Sequence, residues 1–257
     1  MSRFGNLELG DHPRGNRAEA QTVMDERKWS EEAHGAFTRG DFEQALRAFA
    51  KVIEFNPKNT AAWTGQVRML IELGEFQQAR KWADTALERF PDAPELMAAK
   101  AVTLARLGDL QAAMVFSDAA IEGHGETPYL WLARGDVLLA GDEARSDYCF
   151  AKAMASAPTD WIWPWLASRV HFYYKKFSLA LKLVSQALAL DAGQAVVWLQ
   201  MGKCQIALGL ASAAQASIDQ ARQLDPRCVE TESALNDLRL FDIWDRFRGH
   251  MRRWLGR

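Results

Sequence analysis

The chain has 257 residues, of which 49% are hydrophobic and 25% are charged, ordinary values for a soluble folded protein. Its 31 basic residues nearly balance its 33 acidic ones, which argues against bulk nucleic-acid binding because that needs a basic excess. Three scattered cysteines lack the spacing of a disulfide framework. No apolar run has the length of a secretory signal or the ~20 residues of a membrane span. We therefore expect a cytoplasmic protein.

The chain opens with residues 1–16, which contain glycines and charges without hydrophobic periodicity. This composition predicts a flexible N-terminal tail. An alternative is that Phe4–Leu9 forms a short docking segment. Residues 17–25 are predicted to form a leading helical segment before the first regular repeat.

From residue 26 the sequence repeats with a period of about 34 residues. Glycines that follow apolar runs are spaced by 34, 34, 33 and 68 residues: Gly40, Gly74, Gly108, Gly141 and Gly209. Small residues keep the same register: Ala45, Ala79, Ala113, Ser146, Ala180 and Ala214. A third column is mostly tryptophan: Trp29, Trp63, Met97, Trp131, Pro164 and Trp198. These columns predict six repeats over residues 26–59, 60–93, 94–127, 128–160, 161–194 and 195–228.

Each repeat has the pattern of two helices joined by a turn. In the second repeat, apolar residues recur at helical spacing from Trp63 to Gly74, and glycine ends a helix at low cost in the left-handed conformation. Ala79 and Ala86 recur on the second helix, where small side chains let antiparallel helices approach closely. Pro91 ends that helix.

Two series of residues carry a family resemblance. Trp63, Leu70, Gly74, Phe76, Ala79, Ala86 and Pro91 resemble the tetratricopeptide repeat, as do Trp198, Gly202, Gly209, Ala214, Ala221 and Pro226. The resemblance implies an all-α fold, a right-handed superhelical solenoid of six two-helix repeats. It also implies that the first helix of each repeat lines the concave side.

Two repeats depart from the pattern. The fourth has one residue fewer between Trp131 and Gly141, which predicts a tighter turn between its helices. The fifth has Pro164 in the tryptophan column and Lys175 in the glycine column. Since proline is tolerated in a first helical turn, its first helix is predicted to begin at Trp163 or Pro164.

The last segment, residues 229–257, carries one apolar stripe at helical spacing and predicts an amphipathic capping helix over the last repeat. Its end is basic. An alternative is that this end contacts an anionic partner or a membrane surface through Arg246, Arg248, Arg252, Arg253 and Trp254.

No constellation in the sequence points to catalysis. The five histidines lie far apart, without a second ligand at helical metal-binding spacing, and no phosphate-binding glycine motif occurs. Cys204 falls within a predicted helix, where a buried inert thiol is the common case. We predict no catalytic residue, metal or cofactor, and no enzymatic activity.

Candidate partner-binding residues follow from the exposed stripe of the first helices. They are Arg68, Arg106, Tyr129, Asp136, Trp165, Arg169, Tyr173 and Lys203. Trp165 and Tyr173 are the best candidates for facing the groove, with the alternative that the fifth repeat's aromatics only repack an irregular repeat. Arg68, Arg169 and Lys203 share one column, and cations there suit an acidic or C-terminal peptide.

The leading functional hypothesis is an adapter or scaffold that binds a peptide or helix of a partner protein in the groove. A second is a structural subunit that assembles through its repeat ends and basic C-terminal helix, and a third is a peripheral membrane tether through that helix. The family's two-carboxylate chaperone clamp is not matched, because the corresponding places hold Ser30, His34, Gly65, Glu95 and Ala99.

Overall fold

The computed structural model describes residues 16–122, 127–228 and 230–239. All regular secondary structure in these ranges is helical, which confirms the predicted all-α fold. The expected N-terminal tail up to residue 15 and residues 240–257 of the expected C-terminal helix lie outside the described ranges.

The described part of the chain divides into two compact bodies, an N-terminal body that ends at Cys149 and a C-terminal body that begins at Phe150. The helices of the N-terminal body are α1 (Asn16–Thr38), α2 (Phe42–Phe55), α3 (Thr60–Glu72), α4 (Phe76–Arg89), α5 (Pro94–Arg106), α6 (Leu110–Glu122), α7 (Pro128–Ala140) and the start of α8 (Ser146–Ser156). Those of the C-terminal body are the end of α8, α9 (Ile162–Tyr173), α10 (Phe177–Leu190), α11 (Ala195–Ala207), α12 (Ala211–Leu224) and α13 (230–239).

Hairpins in the N-terminal body complete their cores only against the next hairpin. Val52 and Ile53 on α2 pack with Trp63 on α3, Ala86 on α4 and Leu96 on α5 in one buried cluster. The cluster joins helices from three successive predicted repeats. A single hairpin would leave most of this apolar surface in water, so its stability depends on its neighbours.

The C-terminal body ends in the same way. Ala214, Ile218 and Ala221 on α12 are fully buried beneath Leu235 and Leu238 of α13. The described part of the expected capping helix therefore covers the apolar face of the last hairpin.

The turn of the fourth repeat and the start of the fifth differ from expectation. The predicted tighter turn in the fourth repeat is wrong, because five residues separate α7 from α8 whereas three separate α3 from α4. Asp142 takes the left-handed conformation (φ 56°) two residues after the end of α7, as Gly74 does after α3, and the extra length of the turn lies between Asp142 and Ser146. In the fifth repeat α9 begins at Ile162, one residue before the expected start.

Lys175 lies two residues after the end of α9 and has a conformation that glycine adopts elsewhere in the chain. Its φ is 60°, and the glycines at equivalent turns, Gly40, Gly74, Gly108 and Gly209, have φ between 76° and 89°. The left-handed conformation costs a residue with a Cβ about 1–2 kcal/mol. A lysine here is therefore held against a local preference.

We expect Lys175→Gly to raise the free energy of unfolding by about 0.5–1 kcal/mol, since relief of this strain exceeds the extra chain entropy of glycine. Urea denaturation checks it. The matched change Lys176→Gly, one residue inside the turn at φ −84°, should destabilise the protein. Equal effects at both positions would contradict the strain argument.

Gly65 on α3 lies where α2 approaches most closely. A Cβ at this position would lie 2.5 Å from ring carbons of Phe49 on α2. Such a distance is a steric overlap, so the helix pair requires glycine here or must move apart.

We expect Gly65→Ala to lower the free energy of unfolding by about 1–3 kcal/mol, because overpacking outweighs alanine's better helix propensity. Gly35→Ala on α1 is the matched control. Its Cβ would meet only the mobile end of Arg39, so this change should stabilise by up to ~1 kcal/mol. The measurement is thermal or urea denaturation of both variants. Equal changes in their free energies of unfolding would refute the close approach.

Candidate functional site

The eight candidate residues divide by exposure. Four have buried side chains, so their expected placement on an exposed stripe is wrong: Arg106, Tyr129, Asp136 and Trp165. Three are half-buried, namely Arg68, Arg169 and Lys203, and Tyr173 is exposed. The predicted inner wall is therefore largely filled by the chain's own side chains.

Trp165 is 0% exposed and packs its ring 5.7 Å from that of Trp161. The tryptophan column of this repeat holds Pro164, which is also buried. Arg169, one turn later, lies 5.5 Å over the Trp165 ring. The prediction that Trp165 faces a groove is thus corrected: the indole belongs to the core.

Arg68 on α3 lies between two aromatic rings. Its guanidinium carbon is 4.1 Å from the ring centre of Tyr129 on α7 and 5.3 Å from that of Phe37 on α1. Both rings are buried. Burial raises the pKa of the Tyr129 hydroxyl, and the positive charge of Arg68 opposes part of that rise. Helices from three different predicted repeats thus meet at one cation.

Arg106 and Asp136 form a buried ion pair between α5 and α7. The Nη2 to Oδ2 distance is 2.6 Å, and the two side chains are 6% and 5% exposed. Two charges this far from water stabilise a protein only while both are present, since either one alone is strongly disfavoured. The pair fixes the two first helices to each other and is unsuited to direct contact with a partner.

The C-terminal body holds the other candidates. Tyr173 is 47% exposed at the end of α9, with its ring 5.0 Å from that of Tyr174. Lys203 on α11 donates a hydrogen bond of 2.6 Å from Nζ to Glu230 on α13. Sequence reasoning missed Glu230, which lies beyond the last repeat and outside the register that aligned the other positions. Lys203 therefore helps to attach the last helix.

Cysteine and metal chemistry receive no support from the described residues. Burial raises the pKa of the Cys204 thiol to about 11, although hydrogen bonds from Ser168 and Gln200 act in the opposite direction. A thiol in this state is a poor nucleophile at neutral pH. Among the described residues no group of three or more His, Cys, Asp or Glu side chains could hold a metal ion.

The C-terminal candidates Arg246, Arg248, Arg252, Arg253 and Trp254 lie outside the described residues. No helix in the described part of the chain is long and apolar enough to cross a membrane.

Paired helices with alanine-rich contacts and left-handed turn residues define the class of α-helical repeat proteins. Residues 36–102 and 172–237, together about half of the chain, match the family model of the tetratricopeptide repeat. The chain belongs to the tetratricopeptide repeat family. No curated protein matches it in sequence.

Many solved structures resemble the fold, among them two that align over most of this chain. The crystal structure of the APC/C hetero-tetramer Cut9-Hcn1 aligns with 86% of this chain at 15% identity and a TM-score of 0.50. The alignment spans only 46% of that longer chain. TTC0263, a thermophilic TPR protein in Thermus thermophilus, aligns over 84% of this chain and 99% of its own at 16% identity, also with a TM-score of 0.50. At these identities the likeness extends to the fold alone.

Removal of one partner of the buried ion pair should destabilise the fold. We expect Asp136→Ala to lower the free energy of unfolding by about 3 kcal/mol or more, because Arg106 keeps a buried charge without its carboxylate. The double variant Arg106→Met with Asp136→Leu should lose less than the single variant. Urea denaturation of both proteins measures the difference, and a double variant that loses more than the single one would contradict this assignment.

Proposed function

We propose that this protein is a non-enzymatic adapter that holds a segment of a partner protein against the first helices of its repeats. Tetratricopeptide repeat proteins generally mediate protein–protein interaction and complex assembly, and their fold is typically an interaction scaffold without catalytic activity. The proposal adds a location for the contact, the surface around Arg68 in the N-terminal body.

The observation that carries the proposal is the state of the Arg68 guanidinium. The rings of Tyr129 and Phe37 hold the group in place, yet it has neither an ion pair nor a hydrogen bond to any residue within the described ranges. Arginine carries five N–H donors in a rigid fork. A half-buried, positioned group with unused donors favours binding of a partner's acceptor atoms at low entropic cost.

The surrounding charges indicate which acceptor suits this place. Three carboxylates, those of Glu95, Asp136 and Glu72, raise the pKa of Tyr129, whose ring is in contact with Arg68. The local charge is therefore not in positive excess. A main-chain carbonyl of a bound segment fits such surroundings better than a further carboxylate does.

The two hypotheses that involve the basic C-terminal helix, assembly and membrane attachment, stay predictions because the basic residues lie outside the described ranges.

Loss of the Arg68 side chain should weaken partner capture. We expect Arg68→Ala to reduce recovery of co-purifying proteins by about tenfold, the effect of removing a hot-spot arginine worth roughly 1–2 kcal/mol. The measurement is affinity purification of the tagged protein from its own cells, with quantitative mass spectrometry. Arg80→Ala, an exposed arginine on α4, is the matched control and should capture partners like the wild type.

Circular dichroism and urea denaturation of both variants separate loss of binding from loss of fold. If folded Arg68→Ala captured the same proteins in the same amounts as the control, the proposed contact would be wrong.

A further inference from the structure

Charge is unevenly distributed along this chain. Residues 161–218 contain five basic residues, Arg169, Lys175, Lys176, Lys182 and Lys203, and a single acidic one, Asp191. The chain as a whole has a net charge of −2, so the remainder carries a clear acidic excess. The fifth repeat and most of the sixth form a basic region within an acidic protein.

The single carboxylate of this region is engaged in its own turn. Asp191 Oδ2 accepts a hydrogen bond of 2.7 Å from the side chain of Gln194, and its Oδ1 accepts one of 2.8 Å from the backbone of Gly193. These contacts hold the pKa of Asp191 below its ordinary value. The Asp191 carboxylate therefore stabilises the connection between α10 and α11, and it forms no ion pair with a described lysine.

Two lysines of the fifth repeat lie in a segment that has no acidic residue between Asp160 and Asp191. Lys175 and Lys182 are exposed and have no ion pair with any residue of 16–122, 127–228 or 230–239. In the N-terminal body Lys51 pairs with Glu54 and Lys100 with Asp84, whereas Lys58 and Lys81 have no ion pair with a described residue. Lys175 also occupies its strained left-handed conformation, where glycine would be the more stable choice. A strained lysine at a turn that tolerates glycine indicates a use for its side chain.

Exposed apolar side chains lie close to these cations in the sequence. Tyr173 is 47% exposed two residues before Lys175, and Leu179 is 42% exposed in the first turn of α10. Exposed aromatic and aliphatic groups beside unpaired cations have the composition of a protein-binding hot spot. We call this surface, made of Tyr173, Lys175, Leu179 and Lys182, the α9–α10 edge.

We propose that the α9–α10 edge binds an acidic segment of a partner protein, with glutamates or aspartates on Lys175 and Lys182 and an apolar residue against Tyr173 and Leu179. The proposal rests on the adapter function and places a second contact in the C-terminal body, separate from Arg68. Complementary charge would steer the partner to this surface.

The apolar area favours a protein segment over a lipid surface. One tyrosine and one leucine, each less than half exposed, offer little for insertion into the headgroup boundary, where a broad apolar face is required. The same two side chains suffice to anchor one hydrophobic residue of a peptide.

The test uses the full-length protein and a fluorescein-labelled twelve-residue peptide that combines glutamate with two leucines, titrated by fluorescence anisotropy at low salt. The same peptide with glutamine in place of glutamate measures the contribution of charge. The variant is Lys175→Gly with Lys182→Gln, whose first change is expected to stabilise the fold. The matched control, Lys58→Gln with Lys81→Gln, removes two exposed lysines of the N-terminal body that also lack a described ion pair.

We expect the variant to raise Kd for the glutamate peptide about tenfold and the control to change it less than twofold. Salt should weaken wild-type binding, and the glutamine peptide should bind far more weakly. Equal loss in variant and control, or no binding of the glutamate peptide by the wild type, would overturn the proposal. A membrane role would also overturn it: the protein would then float with phosphatidylserine vesicles only when these lysines are present, and its affinity for the peptide would not depend on them.

Arg68→Ala should bind this peptide like the wild type. The outcome of the peptide titration therefore leaves the capture experiment on Arg68 unaffected, and the two proposals can fail separately.

Discussion

Close approach of paired helices is the constraint on which this structure depends. Ring atoms of Phe49 occupy the space that a side chain at residue 65 would need, and the alanine columns on the second helices are fully buried. Small residues allow this approach, and bulky ones from the next hairpin then fill the remaining space. Because each hairpin completes its core only against its neighbour, a chain of such units is stable where one unit is not.

The same close packing explains why the inner side chains offer so little open surface. On α5, Ala98 and Val102 are buried. Arg68 and Tyr129, from the helices on either side, are in contact with each other. Tyr129, Arg106 and Asp136 therefore belong to the packed interior, whereas Arg68 stays half-buried. In the two proposals, recognition is left to Arg68 and to the edge of one hairpin.

The two bodies differ in how many acidic residues lie near their basic residues. In the N-terminal body several cations, among them Lys51, Lys100, Arg106 and Arg134, have a carboxylate within contact distance. The fifth repeat has no acidic residue between Asp160 and Asp191. Under the two proposals, the chain presents an acceptor-binding arginine on one body and an acid-binding edge on the other. Neutral and acidic parts of one partner, or two partners, would then be held without competition for the same surface.

The sequence by itself determined the all-α fold and the repeat family, because packing residues such as Trp63 and Ala79 recur in a fixed register and periodicity is a local property. It could not determine which side of each helix stays exposed, since that depends on what neighbouring repeats place opposite. Tertiary packing alone decided that Trp165 is buried, that Arg68 contacts two aromatic rings, and that Lys203 pairs with Glu230. It also decided that Asp142, and not Gly141, holds the left-handed conformation in the fourth turn and that this turn is longer than those within the other repeats.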